Sequence, residues 1–130
     1  MMHIYESAED YLEAILMLQE KNGHVRSIDV ANMLNFSKPS VSIAMKKLRE
    51  NGYIAVDGEG NLTLLEPGLE IAQRIYSRHQ LLTHFFVQLG VDEQTAAEDA
   101  CKAEHILSEQ TLEKIRESAL RNDAAHPQAK

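Results

Sequence analysis

Residues 27–64 read "SIDVANMLNFSKPSVSIAMKKLRENGYIAVDGEGNLTL", and few folds accommodate that succession of patterns. The apolar spacing is helical, breaks at "FS", becomes helical again, and then gives way to two short apolar runs around a glycine-rich turn. Val30, Ala31 and Leu34 form the inward side of about two helical turns, with Ser27 as the expected N-cap. Ser37 caps the next helix, Pro39 is tolerated in its first turn, and Val41, Ala44, Met45 and Leu48 form its inward stripe. Gly52 stands where that helix closes. "YIAV" and "LTLLE" then flank "DGEGN" as the strands of a β-hairpin. Two capped helices, a short turn and a hairpin in this order predict a winged helix-turn-helix, with its later helix in the DNA major groove and the hairpin beside it.

The flanking segments are helical. Tyr11, Leu12, Ile15 and Leu16 place a first helix at about residues 6–21, ended by "KNG". Pro67 opens a long helix closed by Gly90, and two more follow at about 92–106 and 108–122, with Ser108 able to cap the last. The expected fold is mostly α, with a winged helix-turn-helix of three helices and a hairpin wing over residues 1–66. A three-helix domain over 67–122 follows, and then a flexible tail at 123–130.

Charge supports a nucleic-acid partner only when it is read locally. The chain carries a net charge of -7, yet between His24 and Tyr53 five basic residues face two acidic ones. A basic island in an acidic body suits one face for an anion and another for a cation. On the helix capped by Ser37, the face opposite Val41 holds Pro39, Ile43, Lys46 and Glu50, flanked by Ser40, Ser42 and Lys47. Lysines and serines suit phosphate and base-edge contacts, and an outward Ile43 suits a thymine methyl group. Arg26 and Lys38 complete the candidate DNA-binding set of Arg26, Ser37, Lys38, Pro39, Ser40, Ser42, Ile43, Lys46 and Lys47. The plain alternative is a solvated face with one stray isoleucine. The wing sequence carries Asp57 and Glu59, which phosphate repels.

A second cluster lies further along. Cys101, Glu104 and His105 are spaced i, i+3, i+4, which on a helix puts them within an arc of about 100°. Thiolate, carboxylate and imidazole are all good ligands for a divalent transition metal. A buried thiol beside solvated charges explains the same residues. In the long helix, His79 interrupts an apolar stripe of Ile71, Ile75, Leu82, Phe86 and Leu89, as a core histidine or as a ligand. Asp10 and Glu13 share a side of the first helix away from its apolar stripe, either as a solvated face or as further ligands.

"AEDYLEAI", "SKPSVS", "SRHQLL" and "DACKAEHILS" together resemble the diphtheria toxin repressor/manganese transport regulator (DtxR/MntR) family, over the chain to about residue 122. The resemblance implies a cytoplasmic homodimer that binds pseudo-palindromic operator DNA when loaded with metal and represses metal-uptake genes. It implies metal ligands at Asp10, Glu13, His79, Cys101, Glu104 and His105, and DNA contacts at Ser37, Pro39 and Ser40. The chain departs from both branches of that family. The iron branch usually has methionine where Asp10 stands, and the manganese branch has glutamate where Cys101 stands. The iron branch's ancillary site also uses a glutamate at the position of Thr83 and a histidine at that of Ala97. The C-terminal SH3-like domain of longer members has no counterpart. A thiolate ligand places Fe(II) ahead of Mn(II) as the expected cofactor. Ile106, Leu112, Ile115 and Ala119 are candidate dimer contacts.

The composition excludes several other classes. No apolar run reaches the ~18 residues of a membrane span. The N-terminus turns acidic at once, unlike a signal peptide. A single cysteine argues against a disulfide scaffold. No HExxH motif, glycine-rich phosphate loop or second nucleophile–base set suggests an enzyme. The rival reading is a winged-helix regulator responding to an organic ligand or partner protein, with the ligand-like residues structural.

Overall fold

Helix α1 (Glu6–Asn22) forms where Leu12 and Ile15, both fully buried, recur on one side of an otherwise polar segment. The structure is a computed structural model that describes residues 6–125. Helices α2 (Ser27–Leu34) and α3 (Lys38–Glu50), strands β1 (Ile54–Val56) and β2 (Leu62–Leu64), and helices α4 (Glu66–Gln88), α5 (Glu93–Ala103) and α6 (Glu109–Ala125) follow. This is the winged helix-turn-helix order followed by three helices. The chain divides into two compact units, residues up to Arg74 and those from Ile75 onward. The point of division lies within α4.

In the first unit, the cap and start of α2 lie one residue earlier than expected. Arg26, in an extended conformation, is the N-cap, and Ser27 is the first helical residue. The Asp29 carboxylate explains the shift, because it accepts the Arg26 N–H at 2.9 Å and so satisfies a donor that the helix start would leave open. Asn35 closes α2 in the left-handed region at φ 58°, which Asn tolerates better than most residues. Leu34 is half-buried rather than inward, whereas Val30 and Ala31 are buried. Ser37 caps α3 as expected, its hydroxyl accepting the Ser40 N–H at 3.3 Å. Val41, Met45 and Leu48 are buried and Ala44 is half-buried. Burying each of the large side chains contributes about 1.5–3 kcal/mol.

The hairpin pairs Ile54 with Leu64, Ala55 with Thr63 and Val56 with Leu62. Its second strand is also stitched to the chain before α2, by the Leu62 N–H to the Val25 carbonyl at 2.8 Å and an Arg26–Asn61 bridge. The first turn of α4 packs closely on this unit. A Cβ at Gly68 would stand 3.0 Å from the Tyr53 carbonyl carbon, closer still to its oxygen, and 3.4 Å from the Leu12 side chain.

The second unit has its core at Leu82, Ala100 and Leu112, against which Leu81, Phe86, Ala103, Leu107 and Ile115 pack. Leu112 and Ala119, expected as dimer contacts, are buried in this chain, whereas Ile106 is exposed. Leu89, expected to end the α4 stripe, is exposed because α4 stops at Gln88 and Gly90 turns the chain at φ 105°. Helix α5 also ends earlier than expected. The Glu104 N–H still reaches Ala100 at 2.9 Å, but the Ile106 N–H turns back to Ala103 at 3.1 Å.

Helix α6 runs into the expected tail, so residues 123–125 are helical, while 126–130 lie outside the described residues. A polar cluster on α4 explains the extension. The Gln88 amide donates to Asp123 at 2.8 Å, His84 Nε2 lies 2.9 Å from the same carboxylate, and Asn122 donates to Gln88 at 3.1 Å.

Candidate metal centre and nucleic-acid interface

Helix α3 owes its outward face to its own amphipathic pattern. With Val41, Met45 and Leu48 turned inward, Ser37, Lys38, Pro39, Ser40, Ser42, Ile43, Lys46 and Lys47 are all exposed. At the head of the helix, the Ser37 hydroxyl donates to the Ser40 hydroxyl at 2.8 Å. A cleft of about 170 Å³ beside this face is lined by Ser27, Ile28, Lys38 and Ser42. Ile28, not anticipated, is an additional exposed apolar side chain there. Phe36, in the turn before Ser37, meets Tyr11 of α1 edge-on at 5.7 Å between ring centres. Burial, together with the neighbouring Asp10 charge, raises the Tyr11 hydroxyl pKa, so it stays neutral at physiological pH.

The wing tip organises its own acids. The Asp57 carboxylate accepts N–H groups from Glu59 at 2.8 Å and Asn61 at 2.9 Å, and the Asn61 side-chain amide at 3.1 Å. Those bonds, first the Asn61 backbone and then its side chain, hold the Asp57 pKa below its ordinary value. Arg26, also exposed, donates from its guanidinium to the Glu59 carbonyl.

A carboxyl group with a depressed folded pKa stabilises structure fully above its unfolded value and loses that effect as pH falls through the folded one. The Glu59 and Asn61 amide resonances should therefore hold their folded positions down through the ordinary aspartate pKa of ~3.9 and move only below it. A transition at or above that pH would disprove the wing-tip role.

The ligand-type residues divide between the two units. On α1 of the first unit, Asp10 is half-buried and Glu13 is 5% exposed. In the second unit the end of α5 meets α4. The Glu104 carboxylate is fully buried, with His79 Nδ1 3.0 Å from one oxygen and His105 Nε2 3.9 Å from the other. Cys101, one turn earlier on α5, is exposed. Arg78 holds this corner, donating to the Glu104 carbonyl at 3.1 Å and to the Glu109 carboxylate. Sequence reasoning missed Arg78, because its only signal was a charged residue beside His79.

A buried carboxylate between two imidazoles is costly to desolvate unless a cation or donors face it. One carboxylate, two imidazoles and a nearby thiol form a donor set of the kind that divalent first-row ions take. The residues present therefore fit a metal.

Residues 3–62 match the iron dependent repressor N-terminal DNA binding domain, and residues 65–127 match the iron dependent repressor metal binding and dimerisation domain. The chain belongs to the iron-dependent repressor family. Among its relatives, an uncharacterised HTH-type transcriptional regulator of Methanocaldococcus jannaschii is 40% identical over 113 residues, covering 85% of this chain and 90% of the relative. The HTH-type transcriptional regulator MntR of Bacillus subtilis is 36% identical over 109 residues, covering 84% and 77%.

Solved structures of similar fold include the manganese regulator SloR, with a TM-score of 0.76 and 27% identity over 88% of this chain and 54% of that one. A manganese-dependent transcriptional repressor in complex with manganese gives a TM-score of 0.79 and 29% identity, over 86% and 52%. The chain thus spans about half the length of these solved relatives. This iron-dependent repressor family is one of metal-dependent transcriptional regulators that joins a DNA-binding domain to a metal-binding and dimerisation domain. Among the described residues, no helix is long and apolar enough to cross a membrane.

Proposed function

We propose that the protein is a cytoplasmic, metal-activated repressor that binds pseudo-palindromic operator DNA as a homodimer. The observation that carries this reading is the fully buried Glu104 carboxylate with His79 at 3.0 Å, inside the segment that matches the family's metal-binding domain. His79, Glu104, His105 and Cys101 would hold the ion, joined by Asp10 and Glu13 from α1. With the thiol ionised, Asp10, Glu13, Cys101 and Glu104 would concentrate negative charge that a divalent ion neutralises. Ligands drawn from both units would make α1, and with it the DNA-reading unit, depend on the ion for its placement. Metal would then select the DNA-competent state from a broader ensemble.

Ser37, Lys38, Pro39, Ser40, Ser42, Ile43, Lys46 and Lys47 would meet DNA directly, and Arg26 would contribute through the wing. The Cys101 thiolate places Fe(II) ahead of Mn(II), because soft ligands favour the later ion. The comparisons lend no support to an organic-ligand regulator.

Gel-shift titration with metal and then with chelator tests the proposal. Metal should tighten operator binding by about 5–150-fold, the range of typical coupling energies. Apo protein binding as tightly as loaded protein would defeat the proposal. The Cys101→Glu variant should move the preferred activator toward Mn(II), and an unchanged metal ranking would defeat the Fe(II) assignment.

A further inference from the structure

Two independent sets of contacts close the wing tip. From inside, Asp57 gathers the amides of Glu59 and Asn61. From the α2 side, the Arg26 guanidinium donates to the Glu59 carbonyl, and a Cβ at Gly60 would lie 3.6 Å from both its Nε and Nη2. The guanidinium therefore lies close over a glycine at φ 87°, where a side chain would be both strained and in contact with it. The backbone of Arg26 is itself anchored, by its N–H to Asp29 at 2.9 Å and by its bridge to Asn61. One residue thus joins the start of α2 to the far end of the hairpin.

The tip also carries two exposed acids, Asp57 and Glu59, which phosphate repels. A tip of this charge serves DNA binding only if it is held at a set distance from the duplex. From this we infer that Arg26 is a positioning residue for operator binding: it fixes the wing to the helix-turn-helix and sets where the wing meets DNA, without contacting a phosphate itself. The inference rests on the operator-binding reading above.

The two roles separate by salt and by side-chain shape. A phosphate contact contributes about 0.9 to the slope of log K against log salt, and a lysine can replace it. A planar guanidinium set over Gly60 and bonded to a carbonyl contributes nothing to that slope, and lysine does not reproduce it.

The test uses the full chain loaded with Mn(II), and a duplex that the wild-type protein selects from random sequence. Wild type, Arg26→Lys, Arg26→Gln and, as a phosphate-contact reference, Lys46→Gln are compared. Dissociation constants across salt, hydroxyl-radical footprints, melting, and DNA-free exchange of the 58–61 amides are measured. Both Arg26 variants should bind about tenfold more weakly, as for loss of one charge-assisted hydrogen bond, with salt lines parallel to wild type. Protection should disappear only at the sugars flanking the major-groove contact, and the tip amides should exchange faster at unchanged melting temperature. Lys46→Gln should lower the slope by about one.

A lowered slope for Arg26→Gln that Arg26→Lys restores would overturn the inference in favour of a phosphate contact. Unchanged affinity and footprint in both Arg26 variants would overturn it in favour of a role in folding alone. Failure of the wild-type protein to select any duplex would overturn the operator-binding reading itself, and this inference with it.

Discussion

Replacing Glu104 with glutamine is expected to abolish the metal response while leaving the fold intact. Glutamine keeps the shape of the side chain, so the fully buried site at the end of α5 stays filled. What changes is charge, at a point where His79 lies 3.0 Å from one carboxylate oxygen and His105 3.9 Å from the other. Removing a buried charge relieves its desolvation but also weakens the approach of His79. These opposing effects leave apo stability within about 1 kcal/mol of wild type. The amide cannot supply an anionic ligand, so the gain in operator affinity on adding metal, about 5–150-fold for a typical coupling, should collapse toward one. Calorimetric metal titration and gel shifts on the same preparation check both halves. Metal affinity equal to wild type would remove Glu104 from the ligand set.

The Gly68→Ala variant should cost stability despite placing a better helix former in α4. Alanine gains roughly 0.5–1 kcal/mol over glycine in a helix. Here its methyl group would run into the Tyr53 carbonyl, a backbone atom that cannot swing aside as a flexible side-chain end can. Overpacking of this kind costs about 3 kcal/mol at the upper end of its usual range, so the steric loss outweighs the helical gain. A net loss of about 2 kcal/mol should lower the melting temperature by roughly 8 °C. An unchanged or raised melting temperature would mean that α4 can shift off Tyr53 at little cost.

The helices and hairpin were legible because their signals are local. The periodic apolar positions of α1 and α3, the Ser37 cap and the glycine-rich wing all sit within a few residues of the structure they specify. The departures arise where distant residues decide. The α6 helix continues past residue 122 because Asp123 meets Gln88 and His84, more than thirty residues earlier in the chain. Arg78 secures the Glu104 corner from 26 residues away, and its place beside His79 does not reveal that partner. Leu112 and Ala119 show the same spacing whether a helix face meets its own core or a partner, so periodicity could not tell which. The shifted start of α2 is different, because Asp29 three residues after Arg26 was a local signal competing with Ser27. Of the candidate ligands, chemistry and spacing picked out His79, Glu104 and His105, which the structure brings together at the end of α5. The arc drawn through Cys101, Glu104 and His105 assumed that α5 continued through residue 106, whereas α5 ends at Ala103 and Cys101 is exposed.

The hydroxyl pair at the head of α3 has a directional consequence. Because the Ser37 hydroxyl donates to that of Ser40, its own proton is committed, and the Ser40 proton is the one left to point elsewhere. An outward proton seeks a lone pair. Phosphate oxygens, the guanine O6 and N7 and the thymine O4 satisfy it, whereas the cytosine amino group does not. The orientation of one serine pair thereby gives this end of the helix a grammar, in which it answers an acceptor with a free proton and a donor only with the one lone pair that Ser37 leaves on the Ser40 oxygen.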